Sequence, residues 1–332
     1  MNLEKRKALL VRLGTYMAGK DEAWQAVKQR AFAENNWFIP EFVDLAASNI
    51  AQQYLQPAQL DLLASRYQVP AENSQPKKVG IVMAGNIPLV GFHDLLCVFL
   101  AGHHAMVKPS SKDEVLVRHL ADQMTKWDEE VSACLTVSEM IRNCDAYIAT
   151  GSNNSSRYFE YYFRKYPSII RRNRTSVALL RGDETPAELD RLADDVYQYF
   201  GLGCRNVTKI FVPEHYDFVP LLEAFRKYDY LANHHKYKNN YDYNLAVHIL
   251  NNQFYMSNGS ILLVENESPF SPIAQLHYQY YKDLDDAEAS LQNNENIQCV
   301  VSASHTSFGQ AQVPEVCDFA DGTDTMAFLM KL

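Results

Sequence analysis

The sequence predicts an α/β protein built on a parallel sheet. Short apolar runs at 79–84, 105–107 and 146–150 alternate with stretches of helical spacing, the pattern of strands joined by right-handed crossovers. Small or polar residues follow each run directly: Gly85-Asn86, Lys108-Pro109-Ser110-Ser111 and Gly151-Ser152. Ligands on such sheets sit beyond the carboxyl ends of the strands, which groups these residues as one candidate site. A further strand–helix–strand pattern follows residue 176, so the second half also reads as α/β.

In order along the chain, residues 3–67 carry apolar positions at three-to-four spacing, such as Leu9, Leu10, Leu13, Tyr16 and Met17, and read as helical. Asn73-Ser74-Gln75-Pro76-Lys77-Lys78 is a polar connector leading into the first buried strand. Pro88 suits the first turn of the next helix, which runs through Leu95, Leu96, Phe99 and Leu100 and stops near Gly102. A helix at 114–127 and an ambiguous apolar stretch precede the strand 146–150, after which Gly151-Ser152 opens another helix. Beyond the strand 176–180, Thr185 caps a helix with Pro186 at its first position, expected to run to about Phe200 and deliver Gly201-Leu202-Gly203-Cys204. Strands at 208–212, 261–264 and 300–302 and a helix at 218–228 complete the second half. Between them, 228–254 is rich in tyrosine and carries His234, His235, Lys236, Lys238, Asn239 and Asn240; it is too polar for a core and reads as a loop facing substrate or another subunit, with a plain exposed loop as the alternative.

A chain of 332 residues buries a sizeable core as one large or two ordinary domains. The expected division is 1–195, a helical N-terminal region with a cofactor-binding domain, and 196–332, a catalytic domain with the C-terminal segment. With 47% hydrophobic and 21% charged residues the composition is that of a soluble protein, and no stretch nears the roughly 20 apolar residues of a membrane span. The N-terminal apolar run is brief, broken by Arg12 and followed by no cleavage signal, and the six cysteines are scattered, so a cytoplasmic, reduced protein is expected. A net charge of -9 argues against a nucleic-acid surface. The local cluster Arg164, Lys165, Arg171, Arg172 and Arg174 reads either as a solvated face or as a phosphate site. His103-His104 and His234-His235 lack a third ligand at metal spacing, so no metal is assigned. The tail, with 313–315 and the apolar 326–330, reads as a subunit contact or as the completion of the chain's own sheet.

An amide donor, a cation with hydroxyls at a strand end, a Gly-Ser turn and a thiol after a small residue are the equipment for holding a nucleotide cofactor beside a nucleophilic cysteine. A free thiol is only a few per cent ionised at neutral pH, so the site must favour the thiolate; Arg205 and a helix N-terminus are the two sources considered.

The order Asn86-Ile87-Pro88, Lys108-Pro109-Ser110, Thr150-Gly151-Ser152, Gly203-Cys204 resembles the aldehyde dehydrogenase superfamily. Gly85-Asn86-Ile87-Pro88-Leu89-Val90-Gly91, with Ala101-Gly102 and Lys108-Pro109-Ser110-Ser111, is more similar to its acyl-CoA reductase family, which includes the fatty-acid reductase of bacterial luminescence. The resemblance spans about 79–301. It implies an aldehyde dehydrogenase-like fold with a Rossmann-type cofactor domain and a shortened α/β catalytic domain, and an oxidoreductase that turns an acyl-CoA or other acyl thioester into a fatty aldehyde. By the resemblance, Cys204 is the nucleophile and Asn86, with the Cys204 N–H, forms the oxyanion hole. Lys108 and Ser110 hold the adenosine ribose, Gly85 belongs to the same cofactor-binding motif, Gly151-Ser152 approaches the pyrophosphate, and Glu267 contacts the nicotinamide ribose. Ser110-Ser111-Lys112 stands where NAD-dependent members carry an acidic residue, which favours NADPH, with NADH as the alternative.

Two departures bear on the chemistry. Counting back from Cys204 without gaps puts Arg174 and Ile170 on the Lys and Glu of the Glu-Leu-Gly-Gly-Lys element that the superfamily's aldehyde-oxidising members carry, so by the resemblance the base that hydrolyses the acyl-enzyme is absent and reduction is favoured. The segment from Cys204 to Phe270 is short, and Ser156 replaces the usual glycine closing the Thr-Gly-Ser motif. A reductase of acyl phosphates, with the arginine cluster meeting the leaving group, and a non-redox acyl-transfer protein are the alternatives. A homo-oligomer is expected by family analogy alone.

Overall fold

The helical opening resolves into α1 (Leu3–Ala18), α2 (Glu22–Glu34), α3 (Pro40–Gln53) and α4 (Pro57–Arg66) in the computed structural model, which describes residues 1–292 and 294–332. Local chemistry sets their starts: Asn2 and Asp21 accept N–H bonds from Lys5 and Ala23, and Pro40 and Pro57 occupy first-turn positions where no donor is lost. The α1 stripe Leu9, Leu10, Leu13 and Met17 is buried in the core of the first unit, as its periodicity demands.

This unit, Met1–Asn173 with Pro314–Leu332, continues through β1 (Lys78–Val82), α5 (Phe92–Leu100), β2 (His104–Lys108), α6 (Glu114–Trp127), β3 (Leu135–Val137), β4 (Ala146–Thr150), α7 (Asn153–Phe163) and β5 (Ser168–Arg171). The strands form one parallel sheet in the order β3-β2-β1-β4-β5. Strand order reverses at β1, which has β2 on one side and β4 on the other, and Val82 lies opposite both Lys108 and Ala149. The strand exits therefore converge at the switch point where such sheets bind ligands.

Arg171 is 3% exposed, and its guanidinium donates to Asp94 Oδ1 at 2.8 Å, to Thr325 Oγ1 at 2.8 Å and to the Ala320 carbonyl. The arginine cluster is thus neither one solvated face nor one phosphate site, because Arg171 is an internal pin. The tail does not complete the chain's own sheet. A short helix, Thr325–Leu329, buries Met326 and Leu329 against the first unit, where the His103 ring bonds the Leu329 carbonyl at 3.0 Å.

The second unit, Arg174–Val313, comprises β6 (Thr175–Leu179), α8 (Pro186–Tyr197), β7 (Val207–Pro213), α9 (Val219–Ala224), α10 (His235–Leu250), β8 (Met256–Ser257), β9 (Leu262–Glu265), β10 (Gln275–Tyr281), α11 (Leu284–Leu291) and β11 (Ile297–Val301). Its sheet order is β11-β6-β7-β10-β9-β8, parallel except for β8 against β9. Thr185 and Glu188 close a reciprocal capping box at the start of α8. The compact units part at 173/174, ahead of residue 195, because β6 pairs with β7 and β11.

The tyrosine-rich stretch expected as a loop is mostly helix α10. Its inward positions Tyr237, Asn244 and His248 keep helical spacing, but the last two are held by hydrogen bonds: Asn244 Nδ2 donates to the Ile273 carbonyl at 2.9 Å and His248 Nε2 to Gln275 Oε1 at 2.9 Å. A polar inner face gives no apolar periodicity to read. Among the described residues, no helix is long and apolar enough to cross a membrane.

Candidate functional site

In the first unit, the β1 ladder extends to Met83, whose N–H donates to the Lys108 carbonyl at 3.0 Å, and the chain then turns through Gly85. A Cβ on Gly85 would fall 2.6 Å from Ser110 Cβ and 2.7 Å from Ser110 Oγ. Only glycine lets the β1 and β2 exits lie this close. Asn86 follows, half-buried, in a turn that carries Leu89 at φ 56°, a left-handed conformation costly for a branched side chain. Asp113 holds that conformation: it is buried, its Oδ2 accepts the Leu89 N–H at 2.7 Å, and burial pushes its pKa well above the usual carboxylate range.

Lys108 is exposed at the β2 exit, and Ser110 Oγ accepts the Lys112 N–H at 3.3 Å. At the β4 exit, Gly151 lies so close to α7 that a Cβ would approach Ser155 Cβ to 2.8 Å. Ser152 caps α7 by accepting the Ser155 N–H at 3.3 Å. The first-turn N–H groups of α7, at Asn153 and Asn154, are thereby presented at the strand exits. Ser156 is buried, and its Oγ donates to the Asn153 carbonyl at 2.9 Å, so the missing glycine is accommodated inside the helical turn.

In the second unit, Tyr199, Phe200 and Gly201 all take positive φ (55°, 58° and 73°) between α8 and Cys204. Three consecutive left-handed residues, two of them buried aromatics, are strain of the kind concentrated at functional sites. A turn then closes with the Asn206 N–H donating to the Gly203 carbonyl at 3.1 Å, placing Cys204, half-buried, at its second position. Asn206 is fully buried and secures the turn: Oδ1 accepts the Gly203 N–H at 2.8 Å, while Nδ2 donates to the carbonyls of Asp195 at 3.0 Å and Gln198 at 2.9 Å. Ser176 Oγ donates to the Cys204 carbonyl at 3.1 Å and accepts the Cys299 N–H at 3.2 Å. Cys204 leads into β7 through a turn and does not itself open a helix, and Arg205 is the cation next to it in sequence.

Asp195, also buried, accepts the N–H groups of Gly309 at 2.6 Å and Ala311 at 2.9 Å, and burial raises its pKa to about 7. A carboxyl whose folded pKa is raised contributes stability at low pH that is lost as pH climbs through the folded value. Denaturant unfolding should therefore show stability falling by about 3 kcal/mol between pH 4 and pH 8, and Asp195→Asn should flatten that slope.

Glu267 is exposed beyond the end of β9, and its carbonyl accepts from Lys209 Nζ at 2.6 Å. The structure thus brings Gly85, Lys108 and Ser110 to adjacent strand exits beside Gly151 and Ser152, and sets Cys204 and Glu267 within the second unit. Sequence reasoning missed Asp113, Ser176 and Lys209, which act on backbone far away in sequence, and Asn206, which acts on backbone only a few residues upstream. Among the described residues, no three His, Cys, Asp or Glu side chains gather to hold a metal ion.

Residues 48–223 match the family model of the LuxC acyl-CoA reductases. No curated relative matches the sequence. Among solved structures, an aldehyde dehydrogenase of Mycobacterium tuberculosis complexed with NAD+ superposes with a TM-score of 0.66 at 14% identity, over 89% of this chain and 72% of that one. An aldehyde dehydrogenase of Physcomitrella patens in complex with succinate gives 0.67 at 12% identity, over 89% and 72%. An NADP dependent enzyme of E. coli gives 0.66 at 12% identity, over 90% and 73%. The fold is that of the aldehyde dehydrogenases, with parallel α/β sheets in both units.

Proposed function

The chain belongs to the LuxC acyl-CoA reductase family, whose model spans more than half of it, and we propose that it reduces an acyl-CoA to the aldehyde with NADPH through an acyl thioester on Cys204. Family and fold make it an oxidoreductase for aldehyde-forming acyl reduction; carrier, cofactor and residue roles are the proposal. The observation that carries it is the Cys204 turn, whose backbone is fixed by buried Asn206 and Ser176. Such fixation keeps the thiol and its own N–H in register with a substrate carbonyl.

The first unit suits a dinucleotide. The close approach permitted by Gly85, the capped N-terminus of α7 after Gly151 and the exposed Lys108 match a ribose and a pyrophosphate. On this reading Lys108 and Ser110 hold the adenosine ribose, Ser110, Ser111 and Lys112 favour its 2′-phosphate, and Glu267 holds the second ribose. The nicotinamide cofactor supplies hydride when bound.

The chain's own residues do the rest. Cys204, as thiolate, attacks the thioester carbonyl carbon, and the developing oxyanion takes hydrogen bonds from the Cys204 N–H and the Asn86 amide. The bond to the coenzyme A sulfur breaks, and that sulfur leaves as thiolate. After reduction, the thiohemiacetal on Cys204 collapses, its oxygen gives up a proton, and the aldehyde departs as the thiol is restored. Ile170, at the position counted for the hydrolytic glutamate, lies on β5 and offers no base to activate water. A phosphate leaving group would call on the arginine cluster, and Arg171 is committed to Asp94.

The test is aldehyde capture from medium- and long-chain acyl-CoA with NADPH or NADH. Aldehyde should form at least about tenfold faster with NADPH at equal concentration, the effect of one well-placed charge contact. Aldehyde from acyl phosphate but not acyl-CoA would overturn the substrate, and an NADH preference would overturn the cofactor.

A further inference from the structure

Three consecutive backbone carbonyls, those of Glu267, Ser268 and Pro269, are each held by a different side chain of the second sheet. Lys209 Nζ donates to the Glu267 carbonyl at 2.6 Å, His277 Nδ1 to the Ser268 carbonyl at 2.9 Å, and Thr208 Oγ1 to the Pro269 carbonyl at 2.6 Å. Thr208 and Lys209 are neighbours on β7 and would normally face opposite sides of the sheet. A bulge reconciles them: Ser176 pairs with Val207 and Val177 with Lys209, which leaves Thr208 as the extra residue and re-aims its side chain. Lys209 and His277 are direct cross-strand partners, so the two donors stand side by side.

The donors are themselves built in. Lys209 is 2% exposed, its ammonium also donates to Gln279 Oε1 at 2.6 Å, and it lies 4.8 Å from the centre of the Phe211 ring. Burial pushes its pKa down to about 8. Because a carbonyl only accepts, His277 must carry its proton on Nδ1 and accept at Nε2 from Gln275 Nε2, 3.0 Å away. Burial pushes the His277 pKa down, which suits this neutral ring. Gln275 Oε1 in turn accepts from His248 Nε2 on α10 at 2.9 Å. The histidine- and tyrosine-rich helix that stood out in the sequence thus buttresses this chain of hydrogen bonds.

A surface loop has no need of three side-chain donors, two of them buried, for its backbone. We propose that Thr208, Lys209 and His277, backed by Gln275 and His248, are positioning residues that lock the 267–269 backbone and so present the Glu267 carboxylate to the nicotinamide ribose. The proposal rests on the reading of Glu267 given above, and the two can fail separately.

The experiment titrates NADPH by fluorescence against the full chain, with Glu267→Gln as the reference for direct contact and Lys209→Met, His277→Phe and Thr208→Val as the clamp variants. Hydrogen exchange over 266–271 and the rate of Cys204 acylation are measured on the same proteins. The clamp variants should raise the NADPH dissociation constant about tenfold, the order of one lost charge-assisted hydrogen bond. They should also speed exchange over 266–271 and leave acylation unchanged, a separation that general damage to the fold would not produce. Lys209→Arg should restore affinity. If Glu267→Gln weakens NADPH while all three clamp variants bind as wild type, the clamp is overturned and the Glu267 reading stands. If Glu267→Gln has no effect, both fall. Should Lys209→Met fail to fold, the milder Thr208→Val decides by the same criteria.

Discussion

Cys204→Ala abolishes aldehyde formation from acyl-CoA, lowering kcat by roughly 10⁴-fold or more, the order seen when a covalent nucleophile is removed. The loss is specific to chemistry. NADPH affinity and the circular dichroism spectrum should match wild type, because Cys204 supplies a thiol while its turn is held by Asn206 and Ser176. Alanine at Cys97, which is fully buried and whose pKa burial raises well above that of an ordinary thiol, should instead cost stability and leave the chemical step intact. Activity persisting in Cys204→Ala and lost in another cysteine variant would move the nucleophile elsewhere.

Asn206→Ala strikes the same step from behind. It deprives the Gly203 N–H and the Asp195 and Gln198 carbonyls of their partner in a site with little water. Leaving such buried groups unpaired should destabilise the protein by about 2–4 kcal/mol. The released turn should also slow Cys204 acylation about 100-fold, the usual consequence of misplacing a reacting group by about 1 Å. Asn206→Asp keeps the acceptor for Gly203 but offers no donor to either carbonyl, so it should not rescue. Acylation at the wild-type rate in Asn206→Ala would show that the turn needs no such anchor.

The contrast between Asn86 or Cys204 and Asn206 shows what the sequence made legible. Strands β1, β2 and β4 are short apolar runs because both sheet faces are covered, and the small and polar residues at their carboxyl ends mark the ligand side directly. The strand exits of the first unit were therefore readable from Gly85, Lys108 and Gly151. Strand β10 was not: Gln275, His277 and Gln279 share one face and make it polar, so no apolar alternation appears. Helix α10 hid in the same way behind Asn244 and His248. Arg171 looked like part of a basic surface because nothing local reveals Asp94, 77 residues away, as its partner. The residues proposed to react or meet ligands sit beside turns and glycines that sequence displays, whereas those that hold the turns are recognised only through their partners, which it does not.

The central claim is that Cys204 carries an acyl group shielded from water. Intact mass of wild-type protein and Cys204→Ala after incubation with medium- or long-chain acyl-CoA, without NADPH, tests it most directly. The account predicts a single, persistent acyl adduct on wild type, none on the variant, and release of aldehyde when NADPH is added. No adduct at any chain length, or an adduct that persists in Cys204→Ala, would contradict it.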